Sequence, residues 1–130
     1  MTQEQSKRQT VEQRRAAQAW KDILSVKSNQ KEYGSLVRGF AAMIRQDGLG
    51  PALAFLAAKG AKSSAHKTLS KHLSDWVLPQ MGAGNSKDLL EWLLTQDSAT
   101  YRHAAAETLA YLNWLKRFAE AQGWGDDGQA

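Results

Sequence analysis

Imidazoles bind metals and move protons near neutral pH, so the three histidines are the first residues to weigh for chemistry. His66 and His72 stand six apart, which on one helix points them away from each other, and no third ligand lies nearby at metal spacing. His103 and Glu107 fall at an i, i+4 step, a spacing that makes a weak helix contact rather than an acid–base pair. Cysteine is absent, which excludes disulfides and thiolate metal sites and fits a reducing compartment. The chain has no Walker-type phosphate loop, no G-x-S-x-G and no paired carboxylates in an apolar setting. The expectation is a protein that is not an enzyme, with no metal and no cofactor.

The chemistry on offer is electrostatic. A formal charge of +4 conceals a division: residues 1–71 hold 13 Lys and Arg against 5 acids, or +8, and residues 72–130 hold 4 against 8, or −4. Lys7, Arg14 and Lys21 recur at intervals of seven along a first helix, opposite its apolar side and flanked by Arg15, Gln18 and Ser25. Lys31, Arg38 and Arg45 repeat the interval on a second helix. Matching cationic stripes suit a polyanionic partner such as nucleic acid. With Lys59 at a helix C-terminus and Lys67 and Lys71 on an outer face, the candidate phosphate contacts are Arg14, Arg15, Lys21, Arg38, Arg45, Lys59, Lys67 and Lys71. The competing reading is a merely solvated face on a helical adaptor that binds only protein.

Five tryptophans are many for this length, and aromatics can stack on bases. Trp20, Trp76 and Trp92 fall on or beside apolar helix faces and read as core. Trp114 lies at the edge of an apolar stripe and Trp124 follows a glycine, so each either folds back onto the core or meets another chain. With Lys116 and Arg117, Trp114 forms a candidate protein-contact patch.

The elements that must position these residues are all helices. The longest runs from Ser98, read as its cap, to Gln122, with Tyr101, Ala105, Thr108, Leu112, Leu115 and Ala119 at alternating steps of four and three. Before it come a helix from Thr2 to about Lys27 that buries Ala16, Trp20, Ile23 and Leu24, and one that follows a turn at Ser28 to Gln30, runs to about Asp47 and buries Tyr33, Leu36, Val37, Phe40, Met43 and Ile44. Gly39, on a flank of the second, suits close approach of another backbone. Asp47 to Pro51 starts a third helix whose Ala52 to Ala58 segment is apolar all round, which predicts enclosure at the centre of the bundle. A turn over Gly60 to Ser64 leads to a fourth helix with Ala65, Leu69, Leu73, Trp76 and Val77 inward, and His66 sits where a DNA-reading helix-turn-helix would bury an aliphatic residue. Ser86 to about Thr95 predicts a short fifth helix with hardly a polar face. A length of 130 residues fits one domain: an all-α compact bundle of five or six helices over 1–124, frayed over 1–9, with a polar tail over 125–130. No apolar run suits a signal peptide or a membrane span, so a cytoplasmic protein is expected.

Tyr33, the run DGLGPALAFLAAK from Asp47 to Lys59 and the run YLNWLKRFAEA from Tyr111 to Ala121 resemble the small, all-helical subunit of the type III-B CRISPR effector, the Cmr complex. The resemblance covers about residues 10–122, with its segments in order. It implies a non-catalytic subunit that stacks with copies of itself beside the backbone subunits and lines the groove that holds guide RNA and target RNA. Pro51, the AKSSAHK stretch and the Gly82 to Asn85 loop match no family motif.

Overall fold

A computed structural model of the chain describes residues 9–124, and its elements are six helices. α1 (Val11–Ser25) starts later than Thr2, because Thr10 forms a capping box with Gln13 in which each side chain bonds the other's backbone N–H. The expectations for residues 1–8, Lys7 among them, and for the 125–130 tail lie outside the described residues. α2 (Gln30–Asp47) starts at the last residue of the expected turn and ends as expected; it buries Tyr33, Gly34, Val37, Phe40 and Ile44 and leaves Leu36 and Met43 half-buried. α3 (Leu49–Gly60) follows directly through Gly48, whose φ of 95° few other residues would tolerate. α4 (Ser64–Gln80) buries all five residues assigned inward and carries Pro79 in its last turn. α5 shrinks to Leu89–Leu93, capped by Asp88, and α6 (Ser98–Ala121) is capped by Asp97 rather than by Ser98.

α6 and α4 are the hubs: α6 packs on α1, α2 and α4, and α4 packs on α2, α3, α5 and α6. The core holds Ile23, Tyr33, Phe40, Leu49, Leu56, Leu69, Leu73, Tyr111, Leu112 and Leu115, all excluded from solvent. α3 is therefore not the centre. It buries Leu49, Gly50, Ala52, Leu53 and Leu56 but leaves Ala54, Ala57 and Ala58 exposed and Phe55 half-buried. A methyl group gains little from burial, so an alanine-rich helix faces water on one side at small cost. Its N-terminus is pinned to α6, where the Tyr101 hydroxyl accepts the Gly50 N–H at 2.7 Å and a Cβ at Gly50 would stand 3.1 Å from that oxygen.

α1 is rotated relative to the sequence expectation. Ala19, Asp22 and Ile23 face inward, whereas Trp20 is 39% and Leu24 48% exposed. The cause is that two charged residues on this helix have partners inside. Arg15 makes a two-pronged bond to Glu107 on α6, at 2.7 and 2.9 Å, and Asp22 accepts the Tyr111 hydroxyl. Gly39 meets no neighbouring atom, and the close approach falls at Gly34, where a Cβ would stand 2.7 Å from the Trp124 backbone.

Candidate nucleic-acid and protein interface

The outer face of α1 presents Arg14 and Lys21, both exposed and on the side away from Ala19 and Ile23. Arg14 bonds only the Gln9 carbonyl, at 2.9 Å, among the hydrogen bonds described for it, so its charge stays in solvent. On α2, Lys31 and Arg45 are exposed and Arg38 is half-buried, its guanidinium within 3.4 Å of Ser35 Oγ. Neither Lys31 nor Arg38 is without a partner. α1 and α2 each pack chiefly on α6 rather than on each other. The seven-residue spacing on each helix keeps each stripe in line.

Arg15 departs from the set. Its guanidinium is held by Glu107 and by Glu12, and Glu107 also accepts the Trp76 indole N–H at 2.8 Å. Burial works against charge on Glu107, but the Arg15 and Trp76 donors outweigh it and hold the carboxyl below its usual range. Arg15 thus joins α1, α4 and α6 and has little left for a phosphate. Spacing alone pairs Glu107 with His103; its partners come instead from distant segments.

Lys59 extends over the Phe55 ring, 6.0 Å from the centroid, close to its helix end. Lys67 and Lys71 are exposed beside an open groove between α3, α4 and the 82–88 loop, with Lys87, Ser70 and Ser86 on its other walls. Lys71 is drawn to Asp75 at 2.7 Å, one turn along α4. His66, half-buried, bonds Ser63 Oγ through Nδ1 at 2.7 Å and packs edge-on against Phe55.

The aromatic residues divide differently from the sequence expectation. Trp76 is buried and stacks on Tyr111 with centroids 5.4 Å apart, but Trp20 lies at the surface with its ring 5.1 Å from Phe118. Phe118 in turn lies 5.4 Å from Trp114, so Trp20, Phe118 and Trp114 form an aromatic row across α1 and α6. Arg117, near this row in the sequence, is exposed and leans toward Glu120 at 3.4 Å, and Lys116 is half-buried. Trp124 folds back. Gly123 at φ 79° completes a helix-ending turn in which its N–H meets the Glu120 carbonyl and the Trp124 N–H meets the Ala119 carbonyl, and the indole then lies edge-on to Tyr33.

A buried polar knot joins four helices and has no counterpart in the apolar pattern. The Tyr33 hydroxyl lies 2.8 Å from His72 Nδ1, His72 Nε2 lies 3.3 Å from Ser25 Oγ, and Ser25 donates to the Asp22 carbonyl. Burial lowers the His72 pKa despite the opposing fields of Asp22 and Asp75, and burial followed by the Asp22 field raises that of Tyr33. A neutral imidazole accepting from Tyr33 at Nδ1 and donating to Ser25 at Nε2 satisfies every member of this chain. Asp22 takes its remaining bonds from Gln18 and Tyr111. The only sequence signal for this knot is Tyr33 and His72 at apolar register. Among the described residues no group of three or more His, Asp or Glu side chains is arranged to hold a metal ion, and no helix is long and apolar enough to cross a membrane.

The profile of the CRISPR-associated protein family Cas_Cmr5 matches residues 11–122. The CRISPR system Cmr subunit Cmr5 of Thermus thermophilus is 32% identical over 90 residues, which cover 69% of this chain and 74% of that protein. The crystal structure of a CRISPR-associated Cmr5 family protein from Thermus thermophilus superposes with a TM-score of 0.73 at 27% identity, covering 88% of this chain and 97% of that one. The match spans the capped start of α1, the glycine-pinned α3 and the whole of α6, so the chain belongs to the Cmr5 family of CRISPR-associated proteins.

Proposed function

We propose that the chain is a non-catalytic subunit of a cytosolic CRISPR Cmr ribonucleoprotein, in which it stacks with copies of itself and with backbone subunits along the groove that holds guide RNA and target RNA. The observation that carries this reading is the outer faces of α1 and α2: Arg14, Lys21 and Arg45 are exposed there, with Arg38 half-buried in line with Arg45, and Arg14, Lys21 and Arg45 are held by no carboxylate among the ion pairs described. Long cationic side chains placed outward at even spacing are suited to phosphates, with sequence recognition left to base pairing. The row of Trp20, Phe118 and Trp114 supplies an apolar surface suited to a protein neighbour.

The test is purification through a tag on this chain, with the mass of the complex measured in its native state and again after ribonuclease treatment. A complex with several subunits, several copies of this chain and a bound RNA is expected. Recovery of protein partners with no RNA, and no salt-dependent RNA binding by the complex, would establish the protein-only adaptor instead.

A further inference from the structure

The groove between α3, α4 and the 82–88 loop belongs to neither cationic stripe, since no described residue of α1 or α2 lines it. It encloses about 780 Å³, room for a few residues of peptide rather than for one side chain. Its apolar lining is Leu56 and Ala57 of α3 with Leu78 and Pro79 of α4, and Lys67, Lys71 and Lys87 stand around these, all exposed. The two carboxylates of the lining are already engaged: Asp75 holds Lys71 at 2.7 Å, and Asp88 accepts the Glu91 N–H at 3.1 Å as the cap of α5. Lys67 and Lys87 have no carboxylate partner among the ion pairs described. A matching occupant therefore brings aliphatic side chains for Leu56 and Leu78 and carboxylates for Lys67 and Lys87. RNA fits poorly, because no aromatic ring lines the groove for a base to stack on, and Asp75 and Asp88 repel phosphates. A second copy of this chain has few carboxylates to offer, since Asp22, Asp75, Asp88, Asp97, Glu107 and Glu120 are each bonded within it.

We propose that this groove is a docking site for an acidic, aliphatic segment of a different protein subunit. The proposal rests on the reading of the chain as a subunit of the Cmr complex and adds a protein contact separate from the aromatic row. Water leaving the apolar lining supplies affinity, and Lys67 and Lys87 select a segment whose carboxylates flank its aliphatic residue. Lys67, a phosphate contact in the sequence reading, then serves a carboxylate instead.

The experiment places a photo-crosslinking amino acid at Ala57, which is exposed in the groove, and purifies the assembled complex through a tag on the full-length chain. After illumination, mass mapping should find one segment of a different protein subunit, with Asp or Glu residues on both sides of an aliphatic one. That segment, made as a synthetic peptide, should bind the full-length chain. Its affinity should fall about 3- to 30-fold in K67E/K87E, as expected when two exposed ion pairs are reversed, and should recover when its own acids are changed to Lys. Both lysines are exposed, so the double variant should fold as the wild type does. A crosslink to RNA, to another copy of this chain or to a segment without carboxylates overturns the proposal, as does the absence of any crosslink. Peptide affinity that is the same in K67E/K87E overturns it too. Recovery of no partner subunit with the tagged wild-type chain overturns instead the reading of the chain as a subunit of the complex.

Discussion

At the scale of single residues, the polar knot decides how α1 sits. Asp22 is buried with its carboxylate bonded by Tyr111 and Gln18, so removing one donor leaves a buried charge short of a partner. Tyr111→Phe should cost about 1.5–3 kcal/mol, the usual range for a hydrogen bond to a charged group, and a loss below about 0.5 kcal/mol in denaturant melts would show that water replaces the hydroxyl. His72 gives the knot a pH dependence of definite sign. Its folded pKa is depressed by burial relative to an ordinary 6.5, so below that value the unfolded chain takes up a proton that the folded chain resists, and stability falls as pH falls. Unfolding free energy measured at pH 7 and pH 5 should decline more for the wild type than for His72→Gln; equal declines would remove His72 as the cause. None of this was legible from charge patterning, which set Arg15 beside an outer stripe and Glu107 against His103. Arg15 and Glu107 are 92 residues apart in the chain, and no local spacing reveals such a pair.

At the scale of elements, legibility follows how much of a helix is decided by its own sequence. α2 was readable to within one residue, because Tyr33, Val37, Phe40 and Ile44 recur at helical spacing and Asp47-Gly48 stops it. α6 was readable to within one residue at each end, the cap moving from Ser98 to Asp97. α1 was misread by the width of one face, since its orientation depends on partners supplied by α4 and α6. The predicted fifth helix is reduced to a turn and a half, with Leu94 71% exposed beyond it. α3 shows why uniform hydropathy does not imply enclosure. Leu56 is excluded from solvent, whereas its neighbour Phe55 is half-buried against His66 and under Lys59. Leu56→Ala should therefore cost about 2–5 kcal/mol, and Phe55→Ala, whose cavity opens to water, only about 1–2 kcal/mol. The reverse order in chemical denaturation would restore α3 to the centre of the bundle.

At the scale of the whole molecule, the packing around α6 sets where the cationic stripes lie. α6 stands between α1 and α2, burying Ala104, Thr108, Tyr111, Leu112, Leu115 and Ala119 among its neighbours, so the stripes on those two helices stay clear of the core. Arg14, Lys21 and Arg45 are exposed and Arg38 is half-buried, so replacing the four together by Ala should leave no internal cavity and cost little beyond the packing of the Arg38 stem. Binding to RNA should respond strongly. Each phosphate contact releases counterions, so the slope of log affinity against log salt for single-stranded RNA should fall by roughly 0.7 per contact removed, or about 2 to 3 for the four. Replacement of Lys116 and Arg117, which share α6 with Trp114 and Phe118, should instead weaken assembly and leave that slope nearly unchanged. The measurement is RNA affinity of the reconstituted complex across a salt series, with incorporation of each variant checked by mass. An unchanged slope in a fully assembled quadruple variant would mean that the stripes only solvate the surface, and the protein-contact face would then be what this subunit contributes.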